Sequence, residues 1–161
     1  MKKLFIIRHG KSDWEQGVID FERPLNPRGK KDAPNMGKFL HKHHETPDTV
    51  ISSTANRAIS TARLLLHEMD FSLTEINESD HLYHASVQTL LNEISKVSSE
   101  TNVAYVFGHN PGLSDLVTYL SGEPTMLKTC CVAILELQVD NWDELSQDTC
   151  LLLKYLSPKQ I

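Results

Sequence analysis

No apolar run in this sequence approaches the ~20 residues a helix needs to cross a bilayer, which excludes a helical membrane span. Met1-Lys2-Lys3 leads into a strand pattern rather than a signal-type apolar region, and no small-residue cleavage site follows, so a cytoplasmic protein is expected. Cysteine is scarce: Cys130, Cys131 and Cys150 are an odd count with no zinc-ligand spacing. That excludes a disulfide framework and leaves the three as small apolar packers in a reducing compartment, none a nucleophile candidate. Basic residues are in deficit, 16 against 21 acidic, for a net charge of −5. A nucleic-acid binder would show the opposite balance or a basic stripe. No repeat, low-complexity tract, Gly/Ser linker or Asp/Glu/His metal cluster is visible. Residues 1–161 therefore read as a single domain, close to the usual size of roughly 100–150 residues.

What is present is an alternation of strand and helix patterns, which predicts a three-layer α/β/α domain with a mainly parallel sheet. Leu4-Phe5-Ile6-Ile7, Thr49-Val50-Ile51 and Val103-Ala104-Tyr105-Val106-Phe107 are short continuous apolar runs, the pattern of strands buried on both faces. Asn26-Pro27 has the form of an N-cap followed by proline at the first helical position, and Pro34 predicts a kink or a later start. Ala58, Ile59, Ala62, Leu65, Leu66 and Met69 form the cleanest amphipathic stripe. Val87, Leu90, Leu91, Ile94 and Val97 make a third helix, and Asn110-Pro111 opens a fourth that ends at Gly122 as C-cap. Cys131 to Leu137 and Cys150 to Leu156 read as an antiparallel pair on one edge, giving a mixed sheet. A short strand is expected at Ser72 to Ile76, before a loop over the site.

The first strand empties into Arg8-His9-Gly10, the third run into Gly108-His109-Asn110-Pro111-Gly112, and the second into Ser52-Ser53-Thr54-Ala55-Asn56-Arg57. Ligands of open α/β sheets bind at the carboxyl ends of strands, and helix N-termini favour anions. Arginine offers a permanent cation whose planar fork matches phosphate, and histidine is a usable neutral nucleophile near pH 7. Gly10 is expected to let the backbone approach an anion without a Cβ in the way. Arg8, His9, Arg57 and His109 thus converge on one anion.

In these residues the chain resembles the histidine phosphatase, or phosphoglycerate-mutase-like, superfamily. Asp20-Phe21-Glu22-Arg23-Pro24-Leu25-Asn26-Pro27-Arg28-Gly29, Leu82-Tyr83 and Gly108-His109-Asn110-Pro111-Gly112 resemble its SixA-type phosphohistidine phosphatase branch, in order and spacing over nearly the whole chain. The resemblance implies that Arg8 and Arg57 neutralise a phosphoryl group. It implies too that His9 attacks phosphorus to give a phosphohistidine enzyme later hydrolysed by water, and that His109 stabilises the transferring oxygens. No metal or cofactor is needed in that scheme. The partner is a phosphorylated protein or a small phosphate ester, inorganic phosphate is the product, and neither nucleic acid nor membrane is involved.

Around those four residues the assignments branch. Arg23 is either a third phosphate or substrate contact or a loop salt bridge, and Arg28 is read as a first-turn surface residue. Ser53 and Asn110 either donate to phosphate or cap helices. Trp14 and Tyr83 either wall the pocket or pack. His41, His43 and His44 are expected at a helix C-terminus, solvated and favoured by the dipole rather than binding metal. His67 sits late in the second helix and His84 in a loop, neither with an evident partner.

Departures from the wider family bear on the chemistry. Mutase-like members carry a glutamate acid in a middle insertion for which this chain has little room; Glu78, Asp80 and His81 are the candidates within reach. Glu15 stands six positions after His9, where those members have an asparagine, and its carboxylate is expected to turn outward or pair with a cation. Without an obvious acid, P–N cleavage with an imidazole leaving group fits better than cleavage of an alkyl phosphate. The alternatives are a phosphatase for a small phosphoester and a phosphate-binding module without turnover.

Overall fold

A computed structural model describes residues 1–14 and 17–161; Glu15, and with it the expectation placed on it, lies outside the described residues. The sequence alternation becomes β1 (Lys3–Arg8), α1 (Pro27–His43), β2 (Thr49–Ser53), α2 (Asn56–His67), β3 (Ile76–Ser79), α3 (Val87–Ser95), β4 (Val103–Gly108), α4 (Gly112–Ser121), β5 (Val132–Leu137) and β6 (Cys150–Leu156). The strands form one sheet in the order β3-β2-β4-β1-β5-β6. β3, β2, β4 and β1 run parallel, while β5 lies antiparallel to β1 and to β6, which makes the mixed sheet with its antiparallel edge.

Period-two alternation in the apolar runs explains the layers. Phe5, Ile7, Tyr105 and Phe107 pack on one face with Ala33, Met36 and Leu40 of α1 and with Ile59, Ala62, Leu65 and Leu66 of α2. Leu4, Ile6, Ala104 and Val106 pack on the other with Leu90 and Ile94 of α3 and with Leu113, Leu116, Val117 and Leu120 of α4. Trp142 is fully buried in that second core and donates its indole N–H to the Thr101 carbonyl at 3.0 Å. All three cysteines are free and buried, and burial pushes the Cys150 thiol up to about 11.

Several local expectations hold. Asn26 caps α1 by accepting from the Gly29 N–H at 2.9 Å, with Pro27 in the first turn. Gly122 ends α4 at φ 75°, a left-handed position favoured for glycine. His41 and His43 occupy the last turn of α1, and His44 is its C-cap.

Two expectations are corrected. Pro34 does not give α1 a later start: the helix runs from Pro27 through it. With Ala33 and Met36 fully buried on either side of it, core packing outweighs the single backbone bond that proline cannot make. The strand placed at Ser72–Ile76 begins only at Ile76, because Leu73–Glu75 forms a 3-10 turn. β3 is an edge strand with exposed Asn77 and Glu78, so it carries no apolar run to mark it.

Candidate active site

The order β2-β4-β1 places three carboxyl ends side by side. Register sets Arg8 opposite Gly108, and the His9 N–H donates to the Gly108 carbonyl at 3.1 Å, so His9 and His109 leave the sheet as neighbours. Their ring centroids are 5.2 Å apart. Arg57 arrives from the first turn of α2, just after β2. A cleft of about 330 Å³ opens here, lined by Arg8, His9, Lys11, Arg23, Arg57 and His109, with Asp20 as its only carboxylate among the described residues.

His9 is held in one tautomer. Its Nδ1 lies 2.7 Å from the Gly10 carbonyl, which can only accept, so Nδ1 carries the proton. Nε2 keeps its lone pair and accepts from Arg57 Nε at 3.3 Å. The ring is buried, and desolvation, with Arg57 and Arg8 adding repulsion, pushes its pKa down to about 3. A neutral imidazole at neutral pH, with a lone pair facing a cationic cleft, is a nucleophile in waiting.

His109 is set from behind. Its Nε2 is 2.8 Å from Ser53 Oγ, and that oxygen also accepts from the Ala55 N–H at 3.2 Å. Ser53 Oγ has a proton to give and a second lone pair to receive with, so it fixes the position of His109 Nε2 rather than its tautomer. Nδ1 is buried with no hydrogen-bond partner in the protein. Burial, followed by the proximity of His9 and Arg57, pushes this pKa down to about 3 as well. In the protein alone the arginines and Lys11 carry the cleft's positive charge, beside two neutral imidazoles.

Arg8 and Arg57 are positioned differently. Arg8 donates from Nη1 to the Leu127 carbonyl at 3.1 Å, while its buried Nε has no partner. Arg57 donates to the Asp20 carbonyl oxygen at 2.6 Å and to its carboxylate at 3.0 Å. Arg23 makes the loop ion pair with Asp20 at 3.0 Å and stacks 3.6 Å from the Trp14 ring, and it also lines the cleft.

Asp20 is the residue that sequence reasoning missed. Its carboxylate accepts from the Tyr83 hydroxyl, from Arg23 and from Arg57, and lies 3.4 Å from His84 Nε2. The Tyr83 hydrogen bond foremost, then those of the arginines, hold it well below the usual carboxylate range, so it stays ionised. The one available signal was its place at the head of the Asp20–Gly29 segment. His84 and Tyr83 were underrated too: His84 lines the cleft at φ 51°, and Tyr83 sets its ring edge-on to His109, with centroids 5.4 Å apart.

Other candidates sit elsewhere. Glu78, 3.8 Å from Arg63, Asp80, which accepts from Thr54, and exposed His81 do not line the cleft. Ser53 stands behind His109 rather than in the cleft, and Asn110 lines it while its side chain bonds the Leu127 carbonyl and the Ser114 N–H. A Cβ at Gly10 would meet Gly29 Cα at 3.2 Å and Leu25 at 3.3 Å, where the loop packs on α1. Its N–H donates to Thr61 Oγ1 at 2.9 Å, which in turn donates to the Arg57 carbonyl and ties the segment after β1 to α2. Among the described residues, no group of three or more His, Cys, Asp and Glu is arranged to hold a metal ion, and no helix is long and apolar enough to cross a membrane.

Comparison with known proteins places this geometry. An uncharacterised protein of Mycobacterium tuberculosis is 34% identical over 116 residues, covering 71% of this chain and 70% of that one. A provisionally assigned phosphohistidine phosphatase SixA of Agrobacterium tumefaciens superposes with a TM-score of 0.83 at 25% identity, over 98% of both chains. A protein histidine phosphatase SixA complexed with tungstate shares the fold, with a TM-score of 0.84 at 22% identity over 98% of this chain and 97% of that one. Residues 4–87 match the model of the histidine phosphatase superfamily (branch 1), so the chain belongs to that superfamily, and its architecture is of the SixA type.

Proposed function

We propose that the protein removes phosphoryl groups from histidine side chains of a protein partner, with His9 as the covalent nucleophile. The observation that carries this reading is the fixed tautomer of His9, whose Nδ1 is tied to the Gly10 carbonyl and whose Nε2 faces Arg57. Nε2 attacks phosphorus, the Nε2–P bond forms and the P–N bond to the substrate imidazole breaks. The Nδ1 proton stays on the ring and bonds the Gly10 carbonyl, spreading the charge of the phosphoimidazolium. Water then attacks phosphorus, His9 leaves as neutral imidazole, and both water protons depart with the phosphate.

Arg8 and Arg57 meet the equatorial oxygens with forked, charge-assisted donors, and His109, whose buried Nδ1 has no partner in the protein, adds a third when that nitrogen carries the ring proton. Positioned donors of this kind suffice for a loose phosphoryl-transfer transition state, so the reaction is read as independent of metal. The leaving group follows from the acids. Asp20 is held ionised, and Glu78, Asp80 and His81 are not in the cleft. A phosphohistidine ring protonated at its other nitrogen leaves without help, whereas an alkoxide needs a proton. The structural neighbours described as phosphohistidine phosphatases support the same reading.

Hydrolysis of a small phosphate ester is the second reading, and His84 favours it: this imidazole lines the cleft beside Asp20, within reach of a leaving oxygen. Comparing kcat/KM for a phosphohistidine peptide and for alkyl phosphates separates the two. The peptide is expected to be favoured by orders of magnitude, each factor of ten needing only about 1.4 kcal/mol. Equal or better turnover of an alkyl phosphate that collapses in His84→Gln would select the ester.

A further inference from the structure

Beside the active-site cleft runs a second one, of about 490 Å³, that the proposed chemistry leaves unused. Arg8, Lys11, Arg28, Lys128 and Lys159 line it, and among the described residues no Asp or Glu does. The chain as a whole is acidic, yet these five of its 16 basic residues gather at one place. They come from separate parts of the fold: the end of β1 and the loop after it, the first turn of α1, the loop before β5 and the turn after β6. Among the described residues, only Arg28 of the five has a carboxylate within ion-pair distance, Asp32 at 3.4 Å on the next helical turn. Converging like charges repel one another, and the lowest-energy use of such a cleft is to hold an anion.

Two features connect it to the phosphoryl site. Arg8, Lys11 and Thr129 line both clefts, so an anion in the second lies next to a phosphoryl group in the first. The wall between them is braced: the Tyr155 hydroxyl donates to the Met126 carbonyl at 2.9 Å and accepts from the Lys128 N–H at 3.4 Å. The loop that carries Lys128 also accepts from Arg8 through the Leu127 carbonyl.

We infer that this cleft binds a second anionic group of the substrate, a carboxylate or phosphate set apart from the phosphoryl group being transferred. The inference rests on the reading that the Arg8–His9 cleft takes that phosphoryl group. The second anion has two sources, an acidic side chain near the phosphohistidine of a protein or a second acidic group on a small phosphate ester. Both present the same chemistry to the lysines.

The test uses the full chain and the triple variant Arg28→Gln, Lys128→Gln, Lys159→Gln, whose three side chains are exposed and lie outside the active-site cleft. Two matched substrate pairs are compared: a phosphohistidine peptide with Asp/Glu or with Asn/Gln flanks, and a phosphorylated hydroxy acid or its amide. p-Nitrophenyl phosphate serves as the single-anion reference. Where a pair is not turned over, its inhibition of p-nitrophenyl phosphate hydrolysis gives the same comparison. The triple variant is expected to lose about tenfold in kcat/KM on the doubly anionic member of at least one pair, more at low ionic strength. The singly anionic members and the reference should be unchanged. Selectivity confined to the small pair keeps the second-anion site and removes the phosphohistidine reading. No selective loss in either pair, or equal loss on both members, overturns the inference.

Discussion

Replacing Asp20 with Asn sets two effects of one carboxylate against each other. Its oxygens accept from Arg57 Nη2 and Arg23 Nε, each at 3.0 Å, and these bonds hold both guanidinium planes at the mouth of the cleft. A buried charge-assisted hydrogen bond contributes about 1.5–3 kcal/mol. The Asp20 side chain is 37% exposed, so each bond is discounted toward the ~0.2–1 kcal/mol of solvent-screened pairs. Two such bonds give about 1–2 kcal/mol of positioning, or roughly 5- to 30-fold in rate where the transition state depends on it. Against this, the carboxylate repels an incoming phosphoryl dianion, and removing it favours ground-state binding. Asp20→Asn is therefore expected to lower kcat about tenfold while KM stays level or falls. Arg57 keeps its bond to the Asp20 carbonyl oxygen at 2.6 Å, so the loss should be smaller than for Arg57→Ala. Steady-state hydrolysis of an aryl phosphate, with Tm as a check on folding, measures the split. An unchanged or raised kcat would show that Asp20 only competes with phosphate and does not position the arginines.

Ser53→Ala should reduce kcat about tenfold and lower Tm by a few degrees, since it removes the partner of His109 Nε2 and leaves the Ala55 N–H unpaired; calorimetric binding of orthophosphate should weaken in parallel, and undiminished binding would remove the positioning role. Stability should fall as pH drops from about 6.5 toward 3. His9 and His109 are pushed down to about 3 in the fold, so across that window the unfolded chain binds more protons. His9→Gln should flatten the slope of Tm against pH, and an identical slope would mean that burial does not hold His9 neutral. A strong chelator should leave kcat/KM unchanged, because the cleft's own cations face the phosphoryl group; a large loss restored by a divalent ion would contradict that.

Much of this was legible in the chain itself. The buried strands β1, β2 and β4 announce themselves as continuous apolar runs, and Arg8, His9, Arg57 and His109 follow directly from where those runs end. The first turn of α1 was readable because Asn26 and Pro27 act within a few residues of one another. Asp20 was not, because its role depends on Arg57 and Tyr83, 37 and 63 residues away. Ser53 carries two readings in the sequence, phosphate donor or helix cap, and its partner His109 follows β4 rather than β2. The neutrality of the two histidines is a consequence of burial, which residue type alone does not carry. The close approach of Gly10 to Gly29 of α1 was not legible, because it depends on a helix that begins 17 residues later. The basic cleft escaped notice because its residues are scattered from Arg8 to Lys159 in a chain of net negative charge.

The central claim is that His9 Nε2 takes the phosphoryl group. Rapid quenching of the protein with a phosphohistidine peptide or an aryl phosphate, at alkaline pH where phosphohistidine survives, followed by fragment mass spectrometry, tests it directly. The account predicts one phosphoryl adduct, on His9, absent in His9→Ala together with turnover. An adduct on His109, His84 or any other residue, or full turnover by His9→Ala, would contradict it.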